Sequence, residues 1–572
     1  MTASPTFPST WVPGTPYRGP AQRKPDELKL DGNEGSALPA ELLRQLSAVD
    51  GPMLRDYPDA GPLEAEIARE LGVAPRRVVV TAGADDALDR VCRAFLRPGR
   101  SLVLPVPTFE MLYRFAQAAG GEVRTVSWGG EFPTSEVLDA LDSTVAVIAM
   151  VSPNNPTGSV ATADDLVRVA KDASGSIVLL DHVYVDYADE NLMALATSLE
   201  NVVTVRSFSK AWGLAGCRVG YCVASEPIAH ILRNVGNPFP VAGPSLSVVR
   251  GRLGGDRTAI AEHVERVRAG RTSLAGILAG LGMDAVPSQG NFVFADFGSQ
   301  ATLTQDGLAS MGIRVRSFPQ RPEIADSIRI SVPPTDEEMD RLVSGLQTVL
   351  APEALLFDMD GVLADVEGSY RACVLETARS FGIEIARADL EEAVLQGGAN
   401  NDWELTQRLL RTRGVDLEIE SVTARFQEIY LGSPESPGLR EREQLLIGRD
   451  VLQRLAARRP LGIVTGRPAA EAEWFLQRSG ITDLFGAVVC MEDGPLKPDP
   501  APVRLALDRL GVTRAWMVGD TPDDLRAARA AGALPVGIVA PGDDPDKTIA
   551  AFRQCGVATV LNSLTDLEGL LP

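Results

Sequence analysis

Apolar runs of strand length that end in small or polar residues constrain the fold of this chain more than any other feature. Examples are Arg77–Thr81, Val145–Val151 and Ile177–Asp181, and segments with helical periodicity lie between such runs. Buried strands that alternate with helices form a parallel sheet with helices on both faces. The sequence therefore predicts an α/β fold.

The pattern restarts after residue 351 and divides the chain of 572 residues into two regions. This length favours about three to four domain-sized units. We predict that residues 1–351 form a large α/β/α domain at 45–255 and a small α+β domain from the N-terminal arm and residues 256–351. Residues 352–572 are predicted to form a second α/β domain with a helical cap at 366–448.

The composition argues against some classes of partner. The net charge is −21, no segment concentrates lysine and arginine, and no apolar run reaches the length that crosses a bilayer. Nucleic-acid binding requires a basic surface, so we expect neither a nucleic-acid nor a membrane partner. The six cysteines form no Cys-x-x-Cys pair, and no apolar leader follows the N-terminal methionine. These features predict reduced thiols in a cytoplasmic protein.

The segment Val205–Tyr221 contains the strongest candidate for a covalent role, Lys210. Hydroxyl and small residues surround this lysine, and Arg218 follows it. An amine is nucleophilic only when it is deprotonated, so a reactive lysine must be desolvated or lie beside other cations. Ser207, Ser209 and Arg218 suit a phosphate, because a planar guanidinium can hold two phosphate oxygens. The alternative for Ser-x-Lys alone is a surface lysine in a loop.

A second phosphate-binding element is predicted directly after the strand Arg77–Thr81. A glycine turn follows the strand and opens a helix, with Ala84 and Asp85 in its first turn. The free N–H groups and the dipole at a helix N-terminus attract anions. Glycine turns of this kind are common, so this pattern alone is a weak indication of a phosphate site.

Two motifs taken together resemble a known family. The strings Asn-Pro-Thr-Gly at residues 155–158 and Ser-Lys-Ala…Leu-Ala-Gly-x-Arg-x-Gly-Tyr at residues 209–221 are similar to those of class I/II aminotransferases of fold type I, which depend on pyridoxal 5'-phosphate. The histidinol-phosphate aminotransferase branch is the most similar. The resemblance implies transamination of a small phosphorylated ketone or amine, with glutamate and 2-oxoglutarate as the other pair.

The resemblance also implies roles for single residues around the cofactor. Lys210 would hold the cofactor as a Schiff base and then shuttle a proton between Cα and C4′. The carboxylate of Asp181 would pair with the pyridine nitrogen and keep the ring an electron sink. Asn155 and Tyr184 would share the phenolic oxygen. Phe109 would stack on the ring, at a position where tyrosine is commoner.

Other positions implied by the resemblance face the substrate or a second subunit. Arg316 and Arg329 would bind the anionic groups of the substrates, and Tyr17 would face the substrate. Tyr57 would reach the cofactor phosphate of a neighbouring subunit, which implies a homodimer. His182 stands where the family usually has glutamate, and we interpret it as a packing residue behind the site rather than a catalytic one.

A separate set of motifs begins at Asp358. The string Asp-x-Asp-Gly-x-Leu follows an apolar strand, and three further motifs place Thr465, Lys497 and Asp520 in that order. An isolated Asp-x-Asp is more often a loop or a chance metal site. All four motifs together resemble the haloacid dehalogenase superfamily of phosphatases, which implies a Rossmann-like domain.

In this second resemblance Asp358 attacks phosphorus, and Asp360 protonates the leaving alcohol and then activates water. Thr465 would bind the phosphoryl oxygens and Lys497 would neutralise their charge. Mg²⁺ prefers oxygen ligands. Its predicted ligands are the Asp358 and Asp520 carboxylates and the Asp360 carbonyl, with Asp524 behind them.

The cap should carry specificity, because caps of this kind close over small substrates. We interpret the loop Gly397–Trp403 as facing the substrate, and a solvated helix-capping turn is an equal alternative.

The two resemblances together predict a bifunctional enzyme. Transamination of imidazole-acetol phosphate would yield histidinol phosphate, and hydrolysis would then release histidinol, as in consecutive steps of histidine biosynthesis. Two alternatives remain open. The same chemistries could act on another phosphorylated amino alcohol or amino acid, which the departures at Phe109 and His182 allow. The second region could instead be a binding or regulatory module.

Overall fold

The structure is a computed structural model that describes residues 27–35, 38, 40, 44, 49–434 and 436–572. Its residues divide into two compact units. The first unit includes Lys29–Phe297 and Val315–Met339, and the second includes Gly298–Arg314 and Asp340–Pro572. The predicted domain bounds, including the boundary between residues 351 and 352, remain predictions about sequence regions.

The strands of the three larger sheets are numbered along the chain. They are β1 Val78–Thr81, β2 Ser101–Val106, β3 Glu122–Ser127, β4 Val145–Val151, β5 Ile177–Asp181, β6 Val202–Ser207, β7 Gly220–Val223, β8 Asp284–Val286, β9 Phe292–Asp296, β10 Arg316–Ser317, β11 Ser327–Ser331, β12 Ala354–Phe357, β13 Leu461–Val464, β14 Phe485–Val489, β15 Ala515–Gly519, β16 Leu534–Ile538 and β17 Thr559–Leu561. Shorter two-residue strands are given by their ranges where they are used.

The α-helices within the described residues are numbered in the same way. They are α1 Gly51–Arg55, α2 Gly61–Leu71, α3 Gly83–Phe95, α4 Glu110–Ala118, α5 Thr134–Asp139, α6 Ala163–Asp172, α7 Met193–Thr197, α8 Glu226–Val235, α9 Gly243–Gly254, α10 Thr258–Gly280, α11 Ala301–Ser310, α12 Asp336–Leu350, α13 Tyr370–Ser380, α14 Arg387–Gln396, α15 Asp402–Thr412, α16 Ile419–Leu431, α17 Arg449–Arg458, α18 Ala469–Ser479, α19 Ala501–Leu510, α20 Pro522–Ala531, α21 Pro545–Cys555 and α22 Leu567–Leu570.

The first unit is built on a seven-stranded sheet in the order β1-β7-β6-β5-β4-β2-β3. Strands β2 to β6 pair in parallel, whereas β7 pairs antiparallel with both β6 and β1. The sequence predicted parallel strands only. The exception arises because no helix crosses over between β6 and β7. The loop that carries Lys210 turns back at the carboxyl end of β6 and leads directly into β7. A direct return of this kind joins antiparallel neighbours.

Helix α3 shows how sequence builds a layer on this sheet. Its buried side chains Ala87, Leu88, Val91 and Cys92 recur at helical spacing and join the core that packs on the sheet. This packing fixes the N-terminus of α3 at the end of β1. The carboxyl ends of the parallel strands and this helix N-terminus therefore lie at the same edge.

A four-stranded antiparallel sheet in the order β10-β11-β9-β8 completes the first unit. In the pairing of β10 with β11, Arg316 lies directly opposite Arg329. Directly opposed residues in an antiparallel pair share one face of the sheet. The pairing of β10 with β11 therefore places two guanidinium groups side by side.

The second unit has a six-stranded sheet in the order β14-β13-β12-β15-β16-β17, with all its pairs parallel. The short strands Ala364–Asp365 and Gln444–Leu445 pair with each other, and helices α13 to α16 lie between them in the sequence. This pairing forms a neck through which the chain enters and leaves a helical insertion. The predicted α/β fold class and the helices expected after the first phosphatase motif are both present.

None of the helices within the described ranges combines the length and apolar character needed to cross a bilayer.

Two candidate active sites

A cavity of about 200 Å³ opens at the carboxyl ends of the parallel strands of the first unit. It brings together residues that are far apart in the sequence, as expected for ligand sites of open α/β sheets. The predicted site residues that line it are Ala84, Asp85, Phe109, Asn155, Asp181, Tyr184, Ser207, Ser209, Lys210, Arg218, Arg316 and Arg329. The sequence motifs of the first region thus converge on one cavity.

Lys210 and Asp181 define the centre of this cavity. The Lys210 Nζ lies 5.2 Å from the centroid of the Tyr184 ring and donates to the Gly32 carbonyl at 3.4 Å. The Asp181 carboxylate is buried, and burial together with the charge of Asp85 raises its pKa to about 7, against the opposing effect of Lys210. A cationic group bound beside Asp181 would restore its ionised form.

One end of the cavity is shaped to receive an anion. Gly83 opens α3 at a φ of 80°, and a Cβ built on it would lie 2.7 Å from Nη2 of Arg218. A Cβ on Gly220 would lie 2.7 Å from the Ala84 nitrogen. The glycines therefore let Arg218 and β7 approach the helix N-terminus closely. The Ser207 hydroxyl accepts from the Ser209 N–H at 3.0 Å and holds this loop in place.

The other end of the cavity carries guanidinium groups. Arg329 is buried and donates to the Asn155 Oδ1 at 2.5 Å and to the Asp31 carbonyl at 2.7 Å. Arg316 lies 5.8 Å from the centroid of the Phe318 ring and forms no ion pair with any residue in the described ranges. A guanidinium that faces a cavity without a carboxylate partner suits an anionic ligand.

Asn33 and Arg321 are polar residues of this cavity that sequence reasoning did not assign to the site. Asn33 donates from Nδ2 to the Tyr184 hydroxyl at 3.1 Å, and Arg321 donates to the Thr108 carbonyl at 2.8 Å. Asn33 belongs to the Leu-Asp-x-Asn-Glu string at residues 30–34, which the sequence displays but which spacing alone does not link to Tyr184.

His182 is a structural residue in this fold. Its Nδ1 lies 2.5 Å from the Ser152 carbonyl oxygen, and its Nε2 accepts from the Leu192 N–H at 3.2 Å. Burial, with a contribution from the charge of Arg206, lowers the pKa of His182 to about 3. The neutral ring therefore bridges two backbone segments behind the cavity, in agreement with the packing interpretation.

One predicted residue, Tyr57, lies on the surface of its own chain. Tyr57 is 82% exposed and stacks on Phe239, with the ring centroids 4.4 Å apart. It lines no part of the cavity of its own chain. Tyr17 lies outside the described residues.

The second site lies at the carboxyl ends of β12, β13 and β15 in the second unit. Asp358 follows β12 and is buried, and Lys497 Nζ lies 2.8 Å from its Oδ1 and 2.5 Å from Oδ1 of Asp524. Burial raises the pKa of Asp358 to about 7, against the charge of Lys497. Burial alone would lower the pKa of Lys497, but Asp358 and Asp524 outweigh it and hold that pKa above its usual range.

Three carboxylates of this site are arranged for a cation. Oxygen atoms of Asp358, Asp520 and Asp524 all lie within 4.8 Å of one another. The buried Asp520 Oδ1 accepts no hydrogen bond from a described residue, and burial and the neighbouring carboxylates hold the pKa of Asp520 well above its usual range. This donor set fits a hard divalent ion such as Mg²⁺. Asp524 is held in place by a capping box with Thr521 at the start of α20.

Asp360 and Thr465 are both bound by Arg467, a residue that sequence reasoning missed. Nε of Arg467 donates to Oδ1 of Asp360 at 2.7 Å, and the Arg467 N–H donates to the Thr465 hydroxyl at 3.2 Å. The guanidinium is fully buried and also pairs with Glu443 at 2.9 Å, directly before the neck strand Gln444–Leu445. Arg467 follows Thr465-Gly466 in the sequence, but nothing in the motif indicates its partners.

The cap loop Gly397–Trp403 is docked against the catalytic residues. The Gly398 N–H donates to Asp523 at 2.6 Å, and the Asn400 side chain donates to the Lys497 carbonyl at 3.2 Å. Ala399, Asn400 and Asp402 line a cavity of about 60 Å³ together with Asp358, Asp360 and Asp520. The loop therefore faces the site, as the first of its two interpretations expected. Burial and the charge of Asp360 raise the pKa of Asp402 to about 7.

The fold and the two sites define an enzyme that joins a lysine-centred transfer site to a carboxylate-centred hydrolase site. The chain belongs to the class I and II aminotransferases, which it matches over residues 26–346. It also matches the haloacid dehalogenase-like hydrolases over residues 352–532. Both resemblances read from the motifs are thereby confirmed.

Individual relatives agree with this assignment. The chain is 32% identical over 349 residues to histidinol-phosphate aminotransferase 1 of Trichormus variabilis, covering 60% of this chain and 96% of that protein. It is 45% identical over 237 residues to an imidazoleglycerol-phosphate dehydratase of Phytophthora nicotianae. That match covers 38% of this chain and only 52% of that protein. The solved histidinol-phosphate aminotransferase of Sinorhizobium meliloti, in complex with pyridoxal-5'-phosphate, matches with a TM-score of 0.51 and 25% identity over 56% of this chain and 89% of that one.

The first cavity suits pyridoxal 5'-phosphate, the cofactor of this family. The buried Asp181 carboxylate is placed for a protonated ring nitrogen, and Lys210 is placed for the aldehyde carbon. The N-terminus of α3, Ser207, Ser209 and Arg218 are placed for the phosphate. Phe109 lies on the wall of the cavity and offers an aromatic face to the ring.

Proposed function

We propose that this chain carries out two consecutive reactions. The first site transfers an amino group from glutamate to imidazole-acetol phosphate and gives histidinol phosphate. The second site hydrolyses that phosphate with the help of Mg²⁺ and gives histidinol. The observation that carries this proposal is that an amino-transfer cavity and a complete phosphatase carboxylate set occur in one chain.

Support for the first reaction comes from the charges of its cavity and from the relatives. Several relatives are named as histidinol-phosphate aminotransferases, from Trichormus variabilis to Granulibacter bethesdensis. Glutamate carries a second carboxylate and histidinol phosphate carries a phosphate, so one pocket must bind both anions in turn. Arg316 and Arg329 lie opposite each other on β10 and β11 and offer guanidinium groups to either.

The residues of the first site have distinct tasks in this reaction. Pyridoxal 5'-phosphate supplies the electron sink that makes the substrate Cα–H acidic. Asp181 would keep a proton on the ring nitrogen, and Tyr184 and Asn155 would bind the phenolic oxygen. Lys210 Nζ would carry the proton from the substrate Cα to C4′ of the cofactor.

The residues of the second site suit transfer of a phosphoryl group to a carboxylate. Asp358 attacks phosphorus, Asp360 gives a proton to the leaving alcohol, and the same carboxylate then accepts a proton from the attacking water. Lys497 and Thr465 stabilise the charge on the phosphoryl oxygens. Mg²⁺ held by Asp358 and Asp520 would reduce the repulsion between the nucleophile and the phosphate.

The test is phosphate release by the intact chain. Given imidazole-acetol phosphate, glutamate, pyridoxal phosphate and Mg²⁺, the chain should produce 2-oxoglutarate first and inorganic phosphate after it. Histidinol phosphate alone should release phosphate only with Mg²⁺. If histidinol phosphate is not hydrolysed, the second half of the proposal fails. A panel of other phosphorylated amino alcohols then decides between another substrate and a non-catalytic module.

We further propose that the enzyme is a homodimer in a reducing compartment such as the cytoplasm. Tyr57 and Phe239 form an exposed aromatic pair, and Leu54 nearby is 69% exposed. Such a patch suits a protein interface, and Tyr57 would then reach the partner's cofactor phosphate. The six cysteines are free thiols. Mixing Lys210→Ala and Tyr57→Phe chains should restore part of the activity by forming one intact site per mixed dimer, and monomers in sedimentation would contradict the proposal.

A further inference from the structure

The hydrolase cavity contains one carboxylate that differs from its neighbours, that of Asp402. The other charged side chains that line the cavity have counterions. The pairs are Asp358 with Lys497 at 2.8 Å, Asp360 with Arg467 at 2.5 Å, Arg371 with Asp543 at 2.5 Å and Asp520 with Arg371 at 3.7 Å. Asp402 forms no ion pair or side-chain hydrogen bond with any residue that the structure describes.

The position of Asp402 is fixed by the loop that carries it. Asn401 caps α15 by accepting from the N–H groups of Trp403 and Glu404 at 3.0 and 3.3 Å. The preceding residue, Asn400, donates to the Lys497 carbonyl at 3.2 Å, and its own carbonyl would lie 2.1 Å from a Cβ at Gly466. The cap loop is therefore in close contact with the catalytic loops. The Asp402 carboxyl group is therefore held in a fixed position at the cap side of the cavity.

Apolar side chains form much of the remaining wall of the cavity. Val366, Val374, Leu390 and Leu405 line it. An apolar wall beside an unpaired carboxylate recognises a ligand with a cationic group next to a flat or apolar part. A phosphate ester that also carries an ammonium group has both a phosphate for Asp358 and a cation for Asp402.

We propose that Asp402 is a specificity residue that pairs with the ammonium group of an aminated phosphomonoester. This inference deepens the proposed function and rests on it, because it takes the substrate of the second site to be the product of the first. The ketone and the amine differ in charge at one carbon. A carboxylate at this position selects the amine, since it gains an ion pair with the ammonium and none with a carbonyl. The hydrolase would then spare the ketone until it has been aminated.

The test compares two primary alkyl phosphates that differ only in the substituent on one carbon. Histidinol phosphate carries the ammonium, and its deaminated analogue, 3-(imidazol-4-yl)propyl phosphate, lacks it. Phosphate release is measured for the intact wild-type chain, Asp402→Asn, Asp402→Glu and Glu404→Gln, all with Mg²⁺. Glu404 is the matched control, because it is an exposed carboxylate two residues along the same helix.

We expect the wild type to prefer histidinol phosphate, and Asp402→Asn to reduce the ratio of the two kcat/KM values by about tenfold or more, mainly through KM. Asp402→Glu, which keeps the charge, should recover part of the ratio, and Glu404→Gln should retain it. An unchanged ratio in Asp402→Asn, or an equal loss on both substrates, overturns the inference. Equal wild-type hydrolysis of both substrates overturns it while the proposed function stands. If the wild type hydrolyses neither, the proposed function fails and the inference fails with it.

Discussion

Under the proposed function the two sites of this chain both bind a phosphate, yet they are built from opposite charges. The first would hold the cofactor phosphate with a helix N-terminus, the Ser207 and Ser209 hydroxyls and the Arg218 guanidinium, which all line its cavity. The second places Asp358, Asp520 and Asp524 within 4.8 Å of one another. Both lie at the carboxyl ends of parallel strands, so the fold does not explain the difference.

The difference follows from what each site does with the phosphate. A site that holds a phosphate needs only donors and positive charge. A site that cleaves one needs a nucleophile, and a carboxylate nucleophile repels the phosphate unless cations offset it. Lys497, 2.8 Å from Asp358, is one such cation. Arg218 is a local exception in the first site, because it pairs with Asp85 at 2.9 Å and a bound phosphate would compete for it.

Removing the central residue of each site should have the largest effects and separate the two activities. We expect Lys210→Ala to lower transamination and Asp358→Asn to lower phosphate release, each by about 10⁴-fold or more, as for other covalent catalysts. Each variant should retain the activity of the other site. Both activities are measured on the same preparations with histidinol phosphate as the common substrate. Loss of both activities in either variant would mean that the sites are not independent.

Several motif residues could be predicted from the sequence because they end or directly follow a buried strand. Asp181 and Asp358 end apolar runs, and parallel strands present their carboxyl ends at one edge. Strand periodicity is local, so it could be read directly. The antiparallel direction of β7 could not, because it depends on how the Lys210 loop returns over the sheet.

The partners of long side chains could not be predicted either. Arg467 contacts Asp360 and Glu443, which lie 107 and 24 residues away along the chain. Asp402 reaches the cavity only because its loop is docked against Lys497. Both contacts depend on tertiary packing of the cap, and no spacing rule connects them. The motifs thus indicate the reacting groups, whereas the groups that orient them emerge only from the fold.

Substitution of Asp181 should affect only the first site, with a smaller loss of activity than Lys210→Ala. Asp181→Asn removes the charge that keeps the ring nitrogen protonated, and we expect transamination to fall by about 10³-fold. Phosphate release should stay unchanged. The cofactor should still bind, because its phosphate contacts remain, and absorbance of the purified protein checks this. A variant that transaminates within threefold of the wild type would show that Asp181 is not the partner of the ring.

Substitution of Arg467 tests how far the second site depends on the position of the proposed general acid, Asp360. Oδ1 of Asp360 is held by Arg467, and loss of this contact should misplace the general acid. We expect Arg467→Met to lower kcat for alkyl phosphates by about a hundredfold. It should affect p-nitrophenyl phosphate much less, because that leaving group needs no proton.

The matched variant for this test is Arg467→Lys, which keeps the positive charge but loses the planar fork. It should show an intermediate loss with the same dependence on the leaving group. An equal loss on both kinds of ester would assign Arg467 a purely structural role.

Arg316 should show a smaller effect at the anion-binding end of the first cavity. Arg316→Gln removes a guanidinium that has no carboxylate partner among the described residues, so little folding stability should be lost. The KM for glutamate and for the phosphorylated ketone should each rise by about tenfold, with a smaller change in kcat. Unchanged KM values for both substrates would exclude Arg316 from the substrate pocket.

His182 should show the smallest effect on rate, and its effect on stability should depend on pH. The folded pKa of His182 is lowered to about 3 by burial, whereas an unfolded histidine titrates near pH 6.5. The neutral ring therefore contributes stability that is fully present above about pH 6.5 and is lost as the pH falls toward 3, at up to about 1.4 kcal/mol per pH unit. His182→Leu leaves the Ser152 carbonyl and the Leu192 N–H without these partners. We expect it to cost about 2–4 kcal/mol at pH 8, and less at pH 5, where the wild type has itself lost stability. Thermal unfolding at both pH values measures this, and transamination by the folded variant should stay within a few-fold of the wild type. A large loss of kcat with unchanged stability would instead make His182 a catalytic residue.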